Sequence, residues 1–117
     1  MNKREGHSLK FLVENAYAQL NAGNDDAIIS LVDEIIRTAY KNGASDLHIE
    51  ILNRKPTVMA RIDNEIEELV ALPMEVYDRV VGRLRHMAGV SAENFKKPLY
   101  GRMTFELTNR QSVDIRY

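Results

Sequence analysis

Cysteine is absent from this chain of 117 residues. That absence excludes a disulfide scaffold, a thiolate metal site and a thiol nucleophile. Long apolar runs are absent as well, and the first residues do not form a basic-then-apolar signal peptide. From these absences we expect a soluble, cytoplasmic domain.

Sequence motifs for catalysis are also lacking. The chain contains no phosphate loop of the form G-x-x-x-x-G-K-S/T, and no G-x-G-x-x-G follows a strand pattern. Local sequence suggests no Ser/His/Asp set either. We therefore predict no catalytic residue within this chain.

Charges of the two signs nearly balance, with a formal net charge of −1, so the chain as a whole is not expected to attract nucleic acid. The distribution is uneven, however. From Arg79 to Tyr117 there are eight Lys/Arg residues and three acids. Two interpretations stay open: ordinary surface charge that the acidic remainder balances, or a locally basic face that meets a phosphate.

Apolar residues make up 44% of the chain and indicate one compact domain. The domain is organised around 42–50, where a helical period gives way to a strand period. Gly43 suits the left-handed end of a helix, because glycine adopts positive φ without steric cost. From Asp46 onward, polar and apolar residues alternate.

The remaining patterns predict the element order α-α-β-β-β-α-β-β. The predicted segments are a frayed start at 1–6, helices from about Ser8, from a cap at Asp25 or Asp26 and from Leu72-Pro73 to Gly89, and strands at 46–52, 57–62, 65–71, 103–107 and 113–117, the last two joined by a turn at 108–110. Asp63-Asn64 predicts a two-residue hairpin turn. This order predicts an α+β fold, a mainly antiparallel sheet with helices packed on it, preceded by an N-terminal helix.

Asp46, His48 and Glu50 project from one face of the first strand. Residues two apart on a strand lie ~7 Å from each other, which is awkward for three ligands of one ion. A hydrogen-bonded or solvated strand face is therefore favoured, and no metal site is predicted.

Arginines on the predicted strands are more informative. Arg61, Arg102 and Arg116 each alternate with core residues, so each is expected to project from the sheet face opposite the buried set. Guanidinium groups on a rigid sheet can stabilise phosphoryl charge bidentately. Without a phosphate loop in the chain, they could act only in trans or across a domain boundary. Simple salt bridges, to Asp63 or Asp114 for example, remain the alternative.

Several segments carry a resemblance to a known family. Gly43–Glu50 resembles G-A-S-D-I/L-H-I/L-E, and Val58–Asn64 resembles V-R-x-R-I/V-D-G. Further segments follow in the same order: Leu72-Pro73 before a helix, Arg83–Val90, Lys97–Arg102 and Ser112–Tyr117. Together, over Asp26 to Tyr117, they resemble the type II secretion and type IV pilus assembly ATPases. Residues 1–25 match no part of that pattern that we can place.

The resemblance implies a fold and a domain division. Residues 26–117 would be the PAS-like N-terminal domain of such an ATPase, and 1–25 an N-terminal helix and linker. The RecA-like motor, with its phosphate loop, would follow beyond Tyr117, so the chain is expected to be a fragment that is inactive alone. ATP and Mg are expected in the full-length protein and not in this fragment.

The resemblance also implies a role and partners. By position, Arg102 and Arg116, and with less support Arg61, would contact nucleotide held by the motor domain. The implied partners are that motor, the other subunits of a homo-hexamer and the inner-membrane platform proteins of a secretion or pilus system, with no direct contact to nucleic acid. The implied location is cytoplasmic, peripheral to the inner membrane through those partners.

The chain departs from the family pattern near these arginines. Met59 replaces the first arginine of R-x-R, Leu99-Tyr100 replaces Gln-Asp, and Asn64 replaces the glycine of the hairpin turn. The first departure removes one possible phosphate contact, and the second changes the loop beside the proposed site. Asparagine can adopt the same turn backbone as glycine.

Two other functions remain as alternatives. A stand-alone PAS-like module that binds a ligand or a partner would have an apolar pocket inside the sandwich. A nucleic-acid binder that uses the face from Arg79 to Arg116 would show salt-dependent affinity for DNA. The lack of aromatics interleaved with the arginines argues against single-strand binding.

Overall fold

The computed structural model describes residues 3–87, 102–108 and 111–116 of the chain. Its elements are α1 (Lys3–Gln19), a short 3-10 helix (Leu20–Ala22), α2 (Asp26–Lys41), β1 (Asp46–Leu52), β2 (Lys55–Ile62), β3 (Glu65–Ala71), α3 (Met74–Met87), β4 (Arg102–Thr108) and β5 (Gln111–Arg116). The predicted element order is confirmed. The predicted helix end at Gly89 and the turn at 109–110 lie outside the described residues.

Helix α1 begins earlier than the sequence pattern predicts. A frayed start was expected over 1–6, but Lys3–Gly6 is helical, so that prediction is wrong for these residues. Long-range contacts hold this first turn in place. The side-chain amide of Asn42, at the end of α2, donates a hydrogen bond of 2.7 Å to Glu5 Oε2. Further along α1, Leu9, Val13 and Ala16 are buried in the common core.

Helix α2 begins at Asp26, within the predicted range. The predicted capping residue was Asp25 or Asp26, yet Asp25 makes no side-chain cap bond. Asn24 Oδ1 instead accepts the backbone N–H of Asp26 at 3.0 Å, in the local turn that Asn side chains favour. Gly23, with φ of 70°, turns the chain between the two helices.

The end of α2 is closed by a left-handed residue, as predicted. Gly43 has φ of 72°. Its N–H donates to the Tyr40 carbonyl (3.0 Å), and the N–H of Ala44 donates to the Ala39 carbonyl (2.9 Å). This pair of bonds is the Schellman arrangement, which satisfies the last carbonyls of the helix.

The five strands form one mixed sheet with the order β3-β2-β1-β5-β4, in which only the β1–β5 pair is parallel. The turn at Asp63–Asn64 is the predicted two-residue hairpin, with φ of 51° and 67°. Asn53 and Arg54 form a second such turn, with φ of 50° and 65°. Because that turn is so short, β2 begins at Lys55 rather than at the predicted 57.

The core lies between one face of the sheet and the helices. Residues of α2, α3, β1 and β2 surround its centre: Val32, Ile35, Ile36, Leu47, Ile49, Val58, Val80 and Leu84. The α+β class with helices packed on the sheet is thus confirmed, whereas likeness to a PAS-like sandwich stays a prediction, as does a domain boundary at 26. None of the helices within the described ranges is long and apolar enough to cross a membrane.

Two glycines lead to opposite stability predictions. Gly82 lies inside α3, and a Cβ built there meets no atom within 4 Å. Gly82→Ala should therefore raise the free energy of unfolding by about 0.5–1 kcal/mol, because alanine loses less backbone entropy in a helix. Urea denaturation of the purified chain measures this change.

Gly43→Ala is the matched control, since a Cβ there also meets no atom within 4 Å but φ is positive. It should lower the free energy of unfolding by about 1–2 kcal/mol through backbone strain alone. If both substitutions changed the free energy of unfolding in the same direction, the predicted difference between the two glycines would be wrong.

Candidate functional site

The strand register decides which residues share the face opposite the helices. Along β1, Leu47 and Ile49 point into the core, so Asp46 and His48 belong to the other face. Residues directly paired on neighbouring strands lie on the same face of a sheet. The pairing therefore shows which residues of β2 and β5 share a face with each residue of β1.

One row of paired positions contains two of the predicted arginines. His48 pairs with Met59 on β2 and with Arg116 on β5. Arg116 in turn pairs with Arg102 on β4. Arg102 and Arg116 are therefore direct neighbours in this row, and His48 is the next residue along it. Neighbouring strands lie about 5 Å apart, which sets the spacing of these positions.

The neighbouring row of paired positions contains Arg61, the third of the predicted arginines. Arg61 pairs with Asp46, and Asp46 pairs with Asp114 on β5. The positions of Arg61, Arg102 and Arg116 therefore fall on one face of the sheet, which we call the arginine face. Arg61 stands two strands and two residues from Arg116, or about 12 Å between Cα positions. Contact of these arginines with nucleotide stays a prediction.

Arg61 forms a salt bridge, which is the alternative that the sequence left open for the strand arginines. Its Nε donates to Asp46 Oδ2 at 3.0 Å, so the partner is Asp46 rather than Asp63 or Asp114, the examples named from the sequence. The Asp46 side chain is 17% exposed and that of Arg61 is 38% exposed. Within the described part of the chain, the structure records no bond for the two Nη atoms of Arg61. One edge of the guanidinium is thus fixed, and its terminal nitrogens remain able to bind another acceptor.

The burial of His48 is the feature that sequence reasoning missed. A hydrogen-bonded or solvated strand face was expected, but His48 is only 7% exposed and its Nε2 is buried without a hydrogen-bond partner among the described residues. Thr57 and Met59, on the same face of β2, are also buried. A buried polar atom without a partner costs stability, and an ordered water can satisfy such an atom as well as a ligand can. The signal in the sequence was the alternation along β1, which puts His48 on the face opposite Leu47 and Ile49 but does not show that this face is covered.

The described residues do not form a metal site on this face. No group of three or more His, Asp or Glu side chains there is arranged to hold an ion. Asp46, the acid beside His48, is engaged with Arg61 instead. Acids share this face with the arginines, since Asp46 pairs with Arg61 and Asp114 lies in the same row of paired positions.

Comparison with known proteins agrees with the motif resemblance. Residues 21–117 match the family described as Type II/IV secretion system protein. The type IV pilus assembly ATPase TfpB of Acinetobacter baylyi is 27% identical over 114 residues, which are 97% of this chain and 20% of that protein. The type IV pilus assembly ATPase PilB of Pseudomonas aeruginosa is 29% identical over 113 residues, 96% of this chain and 20% of that protein.

A secretion protein is similarly close. Type II secretion system protein E of Dickeya dadantii is 33% identical over 95 residues, which are 80% of this chain and 19% of that protein. The chain thus spans about a fifth of the length of the curated relatives it matches. Because the alignments to the two pilus ATPases cover at least 96% of the chain, residues before Asp26 also have counterparts, which the motif comparison did not find.

The Asp46–Arg61 pair can be measured by a double-mutant cycle. Asp46→Asn, Arg61→Gln and the double variant should give a coupling free energy of about 0.5–1 kcal/mol, because the pair is close and partly shielded from water. The free energy of unfolding of the four proteins, from urea titrations at one salt concentration, supplies the value.

Glu34 and Arg37 provide the control cycle. Their closest atoms are 3.9 Å apart, and the Arg37 side chain is 67% exposed. Their coupling should be close to zero, as for most exposed ion pairs. Equal coupling in the two cycles would show that the shorter contact contributes no more than a surface pair.

Proposed function

Because this chain belongs to the type II/IV secretion system protein family, we propose that it is the domain preceding the nucleotide-binding motor of a secretion or pilus-assembly ATPase. The names of its relatives support this proposal, since they are pilus assembly ATPases and type II secretion proteins. The match extends over most of the chain, from residue 21 to residue 117.

The arginine face is the surface through which this domain acts. Its role is to supply positive charge to the phosphates of ATP held by a RecA-like motor domain. The observation that carries the proposal is the register of β4 and β5, which sets Arg102 beside Arg116 on the face that also bears Arg61. Guanidinium groups bind phosphate oxygens bidentately and keep their charge at any physiological pH.

The residues of the described part fit an anion but not the whole of a nucleotide site. Arg61 has its Nη atoms available, and its Nε is steadied by Asp46. The chain has no phosphate loop, so the groups that cradle the phosphates and hold Mg must come from the motor domain. When bound, ATP supplies the phosphoryl group, and this domain contributes only charge and position. The chain alone is therefore inactive.

The family resemblance also supports a proposal about assembly. The subunits form a hexamer in which this domain lies against a motor, in the PAS-like arrangement that the motifs imply. The hexamer works at the cytoplasmic side of the inner membrane through platform proteins of the secretion or pilus system. Nucleotide turnover in the motors is coupled there to protein secretion, pilus assembly or DNA transfer.

A stand-alone ligand-binding module is the weaker alternative. The apolar cavity at the centre of the core, between Val32, Leu47 and Leu84, measures about 10 Å³. Ligand pockets in proteins are commonly about 300–1,000 Å³, so this space is far too small for an organic ligand. The described core thus offers no support for ligand binding inside the sandwich.

The arginines are tested in the intact ATPase. Arg102→Gln and Arg116→Gln should each lower ATP turnover by at least about tenfold, because each removes a cation from the phosphates. Arg61→Gln should have a smaller effect, since part of its guanidinium is engaged with Asp46. Steady-state hydrolysis over a range of ATP concentrations separates an effect on kcat from one on KM.

Arg37→Gln is the matched control, because Arg37 lies exposed on α2. It should leave turnover unchanged. Thermal unfolding of each variant checks that the fold is intact. Wild-type turnover and KM in both Arg102→Gln and Arg116→Gln would remove the arginine face from the nucleotide site.

A further inference from the structure

An open groove of about 660 Å³ lies between helix α1 and the end of strand β3. Its walls are mostly apolar, and they include the buried side chains of Val13 on one side and of Leu69 and Leu72 on the other. β3 is an edge strand, at the end of the sheet opposite β4. The groove is therefore separate from Arg102 and Arg116, and its function does not depend on the nucleotide role proposed above.

The backbone of Ala71 turns its polar groups toward this groove. The N–H of Leu72 donates to the carbonyl of Pro56, at the start of β2, at 2.8 Å. Successive residues of a strand direct their N–H and C=O groups to alternate edges, so those of Ala71 point away from β2. Within the described residues the structure records no hydrogen bond to either group. Both groups are thus available to a further strand.

The two halves of β3 differ in their protection against a further strand. Soluble proteins commonly protect an exposed edge with charged side chains. Glu65, Glu67 and Glu68 supply such charges in the first half. Leu69–Ala71 carries no charge, and this half is the one that lines the groove. The edge is therefore open to strand addition where the groove lies.

Charge does not select the occupant of the groove. The charged residues in its lining are Lys10, Glu14 and Lys55, and all three are exposed. Because both signs are present, neither an acidic nor a basic ligand is favoured. The apolar walls and the open backbone edge are the features that an occupant has to match.

We propose that this groove is the docking site for an extended apolar segment of a partner protein, which adds to the sheet as a strand beside β3. The backbone of the segment exchanges hydrogen bonds with the N–H and C=O of Ala71. Its alternate side chains pack between α1 and β3, against Val13 and Leu69. In strand addition of this kind, the backbone bonds provide affinity and the pockets for alternate side chains provide specificity. A second copy of β3 fits less well, because Glu67 and Glu68 directly precede its uncharged residues.

Selection from a peptide library tests the occupant directly. A phage-displayed library of random linear peptides is selected on the immobilised 117-residue chain. Phage that also bind the Ala71→Pro variant are removed, because proline has no N–H to donate at the edge. The expected result is enrichment of peptides in which Val, Ile, Leu, Phe or Tyr stand at alternate positions. The best of them is then synthesised for binding measurements.

Matched variants show whether the peptide uses this edge. Ala71→Pro should weaken binding of the synthetic peptide by at least about tenfold, because the edge loses a donor that β2 does not use. Ala71→Ser keeps the N–H and should retain the affinity. Gly6→Phe places a ring in the groove and should weaken binding as Ala71→Pro does. Thermal unfolding checks that each variant is folded, and Gly6→Phe replaces Ala71→Pro in the selection if the proline variant is not.

Methylation of the peptide's own backbone nitrogens tests the binding mode on the wild-type chain. An N-methyl group removes an N–H, so it should weaken binding by at least about tenfold at positions that face β3. At the alternate positions the affinity should change much less. Hydrogen exchange of the Ala71 amide, followed by NMR, should slow when the peptide binds.

Several results would overturn the proposal. They are the absence of any enriched peptide, equal affinity for the wild type and a folded Ala71→Pro variant, and N-methyl effects that do not alternate along the peptide. Analytical ultracentrifugation of the chain without peptide tests a second copy as the occupant. A dimer that Ala71→Pro dissociates, with no peptide selected, would assign the edge to self-association instead.

Discussion

Strand β1 is hydrogen-bonded along both edges, and the rest of the fold depends on that central position. It pairs with β2 antiparallel and with β5 parallel. Because side chains alternate along a strand, its register directs Leu47 and Ile49 toward the helices and His48 toward the opposite face. A shift of one residue would exchange the two faces and bring the core residues out of contact with the helices.

The junction between α2 and β1 holds that register in place. The Schellman bonds end the helix at a defined residue, and the N–H of Ser45 then donates to the Arg61 carbonyl at 3.0 Å. Asp46 is thereby delivered to the first paired position of the strand, opposite Arg61. The same local geometry that ends a helix thus also positions the ion pair on the arginine face.

Several features of the described residues lower stability. Arg102 and Arg116 occupy paired positions on neighbouring strands, and like charges directly opposite each other are unfavourable in a sheet. His48 on β1 and Arg83 on α3 each bury a nitrogen that has no hydrogen-bond partner among the described residues. Natural proteins break local rules mostly at functional or strained sites.

The sequence by itself determined the element order, the left-handed cap at Gly43 and the turn at Asp63–Asn64, because each depends on residues within a few positions. It also predicted that Arg61, Arg102 and Arg116 alternate with the apolar residues of their strands. Only the tertiary structure decided the parallel pairing of β1 with β5, the early start of α1 and the burial of His48. Those features depend on contacts between residues far apart in the chain, such as Asn42 with Glu5, and neither periodicity nor spacing reports such contacts.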